Sequence, residues 1–278
     1  MNPWELLTAA ATGFGVGTLA GCFGVGGGFV LVPVLTAVLR IPAAEAVGSA
    51  VCAALGPATT AIAARPVRLA DWRLPVVLFG GLFVGVFLGA GLLERIEAVA
   101  PAAVERVVLA VYAVLLSSLA ALSLFDAWWS RRGLPLKTGW MRGVGTRPMM
   151  PMPTGPPVSV PLATTAATFV GVLCGMLGIS GGLVTVPLFV YGFGMSSRQA
   201  VRATLAVVLL VSVQSTMVHA ALGNVRLPLV VALLMGSTVG AKLATRWSRR
   251  WSAAGLKRRY GWLLAGVAGF VIWRLFGG

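Results

Sequence analysis

Gly24-Val25-Gly26-Gly27-Gly28, followed five residues later by Pro33, interrupts an apolar run that extends from about Leu6 to Leu39. Four glycines in five positions make a poor helix interior, because glycine loses the most backbone freedom on ordering. At membrane depth such a break must be buried in protein or line a cavity, since lipid cannot satisfy free N–H and C=O groups. The pattern returns at Gly178-Ile179-Ser180-Gly181-Gly182, with Pro187 in the matching place. Shifted by 154 residues, Val16–Pro33 overlays Val170–Pro187 with 10 of 18 positions identical. A repeated chain with two broken helices points to a transporter core.

Composition agrees with a membrane setting. Of 278 residues 58% are hydrophobic and only 10% charged, with mean hydropathy +0.92, far from the charged surface a soluble domain of this size carries. The net charge of +15 lies between apolar spans, not on one tail or face, so it reads as the positive-inside bias and not as a nucleic-acid footprint. Cys22, Cys52 and Cys174 sit in apolar context without metal-ligand spacing, and there is one histidine, so neither a disulfide framework nor a metal site is expected. No cofactor is indicated. The first apolar run has no basic region before it and is read as a retained span, not a cleaved signal.

The glycines divide the first segment into arms of about 18 and 12 residues. Further spans are expected near Ala43–Ala64, Leu74–Leu93 and Ala102–Leu124, each close to the ~20 residues a bilayer requires. Asp126–Pro161 then has seven prolines and five basic residues (Arg131, Arg132, Lys137, Arg142, Arg147), and reads as a linker with Trp128 and Trp129 as an interfacial anchor. The plan repeats: Leu162–Phe193 broken at its glycines, then about Gln199–Leu222, Leu227–Thr245 and Leu256–Phe276. The expected fold is an all-α integral membrane protein of two inverted-topology repeats. Each repeat has one glycine-broken helix, re-entrant or formed of two short spans, plus three transmembrane helices. The parts are a first repeat at 1–125, a Pro-rich basic linker at 126–161 and a second repeat at 162–278.

Inversion also sorts the charges. One face collects Arg65, Arg68, Arg73, the linker cations, Arg198, Arg202 and the run from Arg246 to Arg259; the other keeps Arg40, Arg95, Arg106, Arg226 and Arg274. That asymmetry places the linker in the cytoplasm and both termini in the periplasm.

Paired broken helices put substrate at their shared interface, where half-helix N-termini offer free N–H groups and a positive dipole end to an anion. The expected substrate region is Gly24, Gly26, Gly27, Gly28, Gly178, Ser180, Gly181 and Gly182. Small residues of this kind also serve close helix packing. All seven acidic residues (Glu5, Glu45, Asp71, Glu94, Glu97, Glu105, Asp126) fall at span ends or in loops, which disfavours a cation carrier and leaves a small anionic substrate. Ser49, Thr204 and Gln214, with Ser215, are candidates to finish the pocket, although serine and threonine in spans often bond their own backbone. Arg202 and Lys242 lie about a turn inside the cytoplasmic ends of their spans, where snorkelling or guiding an anion are both open to them. His219 is placed near the outer end of its span, as a structural group or a proton-coupling one.

The doubled Gly-x-Gly-Gly-Gly-x4-Pro element, with Ser180 substituted in the second copy, resembles the TauE/SafE sulfite-exporter family. So do Ala46-Val47-Gly48-Ser49 and Ala200-Val201-Arg202-Ala203-Thr204, Asp71-Trp72, and His219 with Gly223-Asn224-Val225. The resemblance implies a multi-pass permease of the bacterial inner membrane that exports sulfite or small organosulfonates, with Gly26, Gly27, Gly28, Gly181 and Gly182 in the substrate region. Its partners would be the lipid bilayer and a small anion, with proton coupling and a homodimer left open. Uptake or channel flux of another anion, sulfate or thiosulfate, is the alternative. Gly178-Ile179-Ser180-Gly181 also fits the Gly-x-Ser-Gly of an intramembrane serine protease with His219 as base; the glycine break at the matching place in the first half argues against an enzyme.

Overall fold

The computed structural model describes residues 3–23, 27–64, 72–131, 138–143, 146–151, 157–248 and 253–277. The first half comprises α1 (Pro3–Phe23), α2 (Gly28–Val38), α3 (Ala43–Ala53), α4 (Leu55–Ala64), α5 (Arg73–Val99) and α6 (Pro101–Arg131). The second comprises α7 (Val160–Leu177), α8 (Gly182–Pro187) continued by a π-helical turn at Leu188–Gly192, α9 (Ser197–Ala221), α10 (Leu227–Ser248) and α11 (Ala253–Gly277). Between the halves lie a short 3₁₀ turn at Trp140–Gly143 and a two-residue antiparallel pairing of β1 (Met149–Met150) with β2 (Val158–Ser159). Among the described residues eight helical segments are long and apolar enough to cross a membrane, α3 and α4 together forming one of them. The shorter apolar helices Gly28–Val38 and Gly182–Gly192 follow the two glycine stretches.

Local chemistry sets the helix ends. Ser159 accepts the Leu162 amide at the start of α7, with Pro161 in the first turn, where its missing N–H costs nothing. Ser196 and Gln199 form a reciprocal capping box on α9. α5 stops just before Pro101, as the residue ahead of a proline avoids helical geometry. α6 runs on to Arg131, so Asp126, Trp128 and Trp129, assigned to the linker from sequence, belong to its last turns.

Within a bilayer there is no hydrophobic force between helices, so close backbone approach has to supply the contact energy. Gly13, Gly17 and Gly21 of α1 meet Leu233, Ser237 and Ala241 of α10, in ascending order on both, so these helices run parallel. Gly236 and Gly240 return the approach at Ala10 and Phe14. The pairing is reciprocated between α5 and α7: Gly81, Gly85 and Gly89 meet Thr164, Thr168 and Val172, again in parallel order. Each half therefore packs its opening helix on the penultimate helix of the other. α6 and α11 run antiparallel, with Leu124 at Gly261 and Glu105 paired to Arg274 at 3.6 Å.

An alanine methyl at Gly17 or Gly85 would overlap the backbone of the facing helix, whereas at Gly15 or Gly80 it meets nothing within 4 Å. Gly17→Ala and Gly85→Ala should lower thermal stability in detergent by about 1–3 kcal/mol. Gly15→Ala and Gly80→Ala should leave it unchanged or raised. Equal behaviour of the two pairs would contradict this packing.

Candidate functional site

α1 ends at Phe23 and α2 begins at Gly28, capped by Gly27 at φ 73°; α7 ends at Leu177 and α8 begins at Gly182, capped by Gly181 at φ 78°. Gly178 takes the same left-handed conformation at φ 68°. For a residue with a Cβ that region costs roughly 1–2 kcal/mol, so glycine is what allows the chain to turn here. Gly24 and Gly26 lie outside the described residues.

The two glycine stretches touch. A methyl built on Gly28 would stand 2.8 Å from the Gly178 carbonyl oxygen and 3.3 Å from Ser180 Oγ. Gly27, Gly28 and the whole of Gly178–Gly182 are buried, so the irregular backbone is enclosed by protein as the bilayer demands. Tyr112 of α6 donates its hydroxyl to the Leu177 carbonyl and so satisfies one orphan acceptor at the end of α7. The helices that leave the junction have no side-chain cap. The Val30 amide bonds the Gly27 carbonyl, and the Val184 and Thr185 amides bond that of Gly181. The first-turn amides of Gly28, Phe29, Gly182 and Leu183 thus precede the ladders, each at a positive dipole end of roughly half a charge.

Several predicted residues gather around this junction. Ser180 Oγ is buried and has no hydrogen-bond partner among the described residues. Thr185 donates to the Gly181 carbonyl at 2.9 Å and reaches the Thr204 hydroxyl at 3.5 Å, which ties Thr204 to the first turn of α8. His219, in the last turn of α9, is fully buried and donates from Nε2 to the Gly175 carbonyl at 3.0 Å, one turn before the second break. Its Nδ1 then carries a lone pair with no partner among the described residues.

The remaining candidates make other contacts. The Ser49 hydroxyl accepts the Arg226 amide at 3.3 Å, beside the Arg226–Glu45 ion pair at 3.0 Å, and so joins α3 to the start of α10. Gln214 donates to the Phe83 carbonyl of α5 at 2.8 Å, leaving its Oε1 buried and unmatched. Arg202 is half-buried near the start of α9, and Lys242 is exposed on α10, where it lines a surface cleft.

Three features escaped the sequence reading. Thr185 lay inside an apolar run. Ser212 shares one face of α9 with Ser215 and His219, at spacings of three and seven, and both serine hydroxyls are buried without partners among the described residues. That spacing was the available signal. Asp126 is buried, not solvated in a linker, and accepts the Tyr191 hydroxyl at 2.7 Å, tying the end of α6 to the π-helical turn beyond α8. As for a protease dyad, Ser180 has no basic partner and the protonated ring nitrogen of His219 is engaged by backbone.

Eight apolar spans around two apposed glycine stretches define a multi-pass membrane protein. The sequence profile described as "Sulfite exporter TauE/SafE" matches residues 9–271, and the chain belongs to that family. It is 38% identical over 95 residues to a protein of Xylella fastidiosa (strain 9a5c) described as "Probable membrane transporter protein". A counterpart of the same description from Xylella fastidiosa (strain Temecula1 / ATCC 700964) is 37% identical over 95 residues. Each match covers 34% of this chain and 33% of the relative, so the chain aligns with about a third of their length. No solved structure matches.

At Gly181 an added methyl has its nearest neighbour 3.5 Å away, so Gly181→Ala should cost only the backbone strain, about 1–2 kcal/mol in thermal unfolding. Ser180→Ala removes a buried hydroxyl without a partner and should leave stability level or slightly raised. A large loss in Ser180→Ala would show that its hydroxyl is bonded in the folded protein.

Proposed function

We propose that this protein is a secondary transporter that exports small sulfur-containing anions, sulfite or organosulfonates, across the bacterial inner membrane. Substrate is held at the junction of the two glycine breaks, and alternating access moves it from one side to the other. The observation that carries this reading is the contact of Gly28 with Gly178 and Ser180, which brings two uncapped helix starts into one buried place. Two dipole ends of about half a charge each sum to roughly one positive charge, a match for a monoanion such as hydrogen sulfite or a sulfonate. Three oxygens of such a group can take the first-turn amides, and the unmatched Ser180 hydroxyl adds a donor of the right kind. Family membership supports the same substrate class.

The two halves are inverted copies in this reading. Antiparallel α6 and α11, the last helix of each half, support it, as do the reciprocal parallel pairs α1 with α10 and α5 with α7. The basic linker and the run Arg246–Arg259 then share the cytoplasmic face, with both termini in the periplasm.

The test is flux in proteoliposomes loaded with sulfite, taurine, sulfoacetate, thiosulfate or sulfate. Gly27→Val and Gly181→Val should express and insert yet lose at least about tenfold in sulfite or sulfonate flux, since a side chain at positive φ displaces the amides. Saturation at rising substrate distinguishes a carrier from a channel. Normal flux in both variants, or transport confined to dianions, would overturn the proposal.

A further inference from the structure

A cleft of about 460 Å³ opens between α4 and α10, well away from the glycine junction in the chain and within the size range of small-ligand sites. Thr60 and Ala63 form its α4 wall; Thr238, Lys242, Thr245 and Arg246 form the α10 wall. No acidic residue lines it. Lys242 and Arg246 are four residues apart, on one face of the last two turns of α10, and neither is paired with a carboxylate among the described residues. Two like charges at that spacing repel each other unless an anion lies between them. The sequence adds Arg249 and Arg250 directly after α10.

Of the three hydroxyls on the cleft walls, one is placed to serve the same guest, since the other two spend their protons on backbone carbonyls. Thr60 donates to the Gly56 carbonyl at 2.8 Å and Thr245 to that of Lys242 at 3.0 Å, which fixes both side chains. Thr238 sits where a Cβ on Gly56 would be, so that glycine makes the room its hydroxyl occupies. That hydroxyl has no partner among the described residues and is available as a donor. The negative end of the α10 dipole, about half a charge, would repel an anion by itself; two full cationic charges beside it reverse the sign.

We propose that the α4–α10 cleft is a second oxyanion site, distinct from the glycine junction, for a tetrahedral phosphate- or sulfonate-type group. Lys242 and Arg246 supply the charge and Thr238 the neutral donor. The group is either the phosphate of an anionic lipid or the free ion collected at the membrane surface before transport. Both place the same chemistry between the same two cations, and neither depends on what the glycine junction binds.

The test compares wild type, Lys242→Gln/Arg246→Gln, the charge-keeping Lys242→Arg/Arg246→Lys and the junction variant Gly181→Val, all purified in neutral detergent. Equilibrium dialysis counts labelled sulfite per chain, and native mass spectrometry counts retained phosphatidylglycerol. If the guest is the free ion, the charge-neutral variant loses one bound sulfite, or weakens it about tenfold or more, while Gly181→Val keeps that ion. If the guest is lipid, sulfite counts stay level and phosphatidylglycerol retention falls in the charge-neutral variant alone. In both cases the charge-keeping variant behaves as wild type, which separates lost binding from misfolding. Unchanged sulfite and unchanged lipid in the charge-neutral variant would overturn the proposal, whatever Gly181→Val does.

Discussion

In hydrocarbon every backbone N–H and C=O must find a partner inside the protein, and this protein's architecture follows from where it departs from helix. The left-handed turns at Gly27, Gly178 and Gly181 leave amides and carbonyls that lipid could not satisfy. They are tolerated because the two glycine stretches bury each other, and because Tyr112 reaches across to the end of α7. The same requirement leaves first-turn amides without side-chain caps in a place that lipid does not reach.

Enclosing that junction requires helices to come very close, and the glycine rows of α1, α5, α7 and α10 allow it. Glycine thus serves two purposes in this chain. At Gly17, Gly85, Gly171 and their neighbours it admits a facing backbone; at Gly27 and Gly181 it admits a conformation. The reciprocal exchange of helices between halves means that neither half encloses its own break alone. Motion of one half against the other would therefore act directly on the junction.

The broken segments were legible from sequence because apolar length and glycine content are local properties. Span limits followed for the same reason, with α5 and α6 the exceptions: α5 runs past the expected Leu93 to Val99, and α6 continues to Arg131 through Trp128 and Trp129, which read as an interfacial stop. The glycines spaced by four, Gly13-Gly17-Gly21 and Gly81-Gly85-Gly89, form a packing face that went unread in the sequence, and its partner depends on non-local pairing. Side-chain aim was the least legible. Ser49 read as a pocket residue, and its bond from the Arg226 amide, which joins α3 to α10, depends on a helix rotation set by non-local neighbours. Asp126 looked solvated and is buried against Tyr191, a contact made across 65 residues of chain. Thr185 and Ser212 were hidden by apolar surroundings, although the latter shares its helix face with His219.

The most direct measurement is the position of a bound heavy oxyanion. Crystals grown with selenite, imaged at the selenium absorption edge, would locate the ion without reference to any variant. The account predicts an anomalous peak between the helix starts at Gly28 and Gly182, within hydrogen-bond distance of their amides. Selenium found only elsewhere at saturating selenite, with the glycine junction closed to it, would contradict the account.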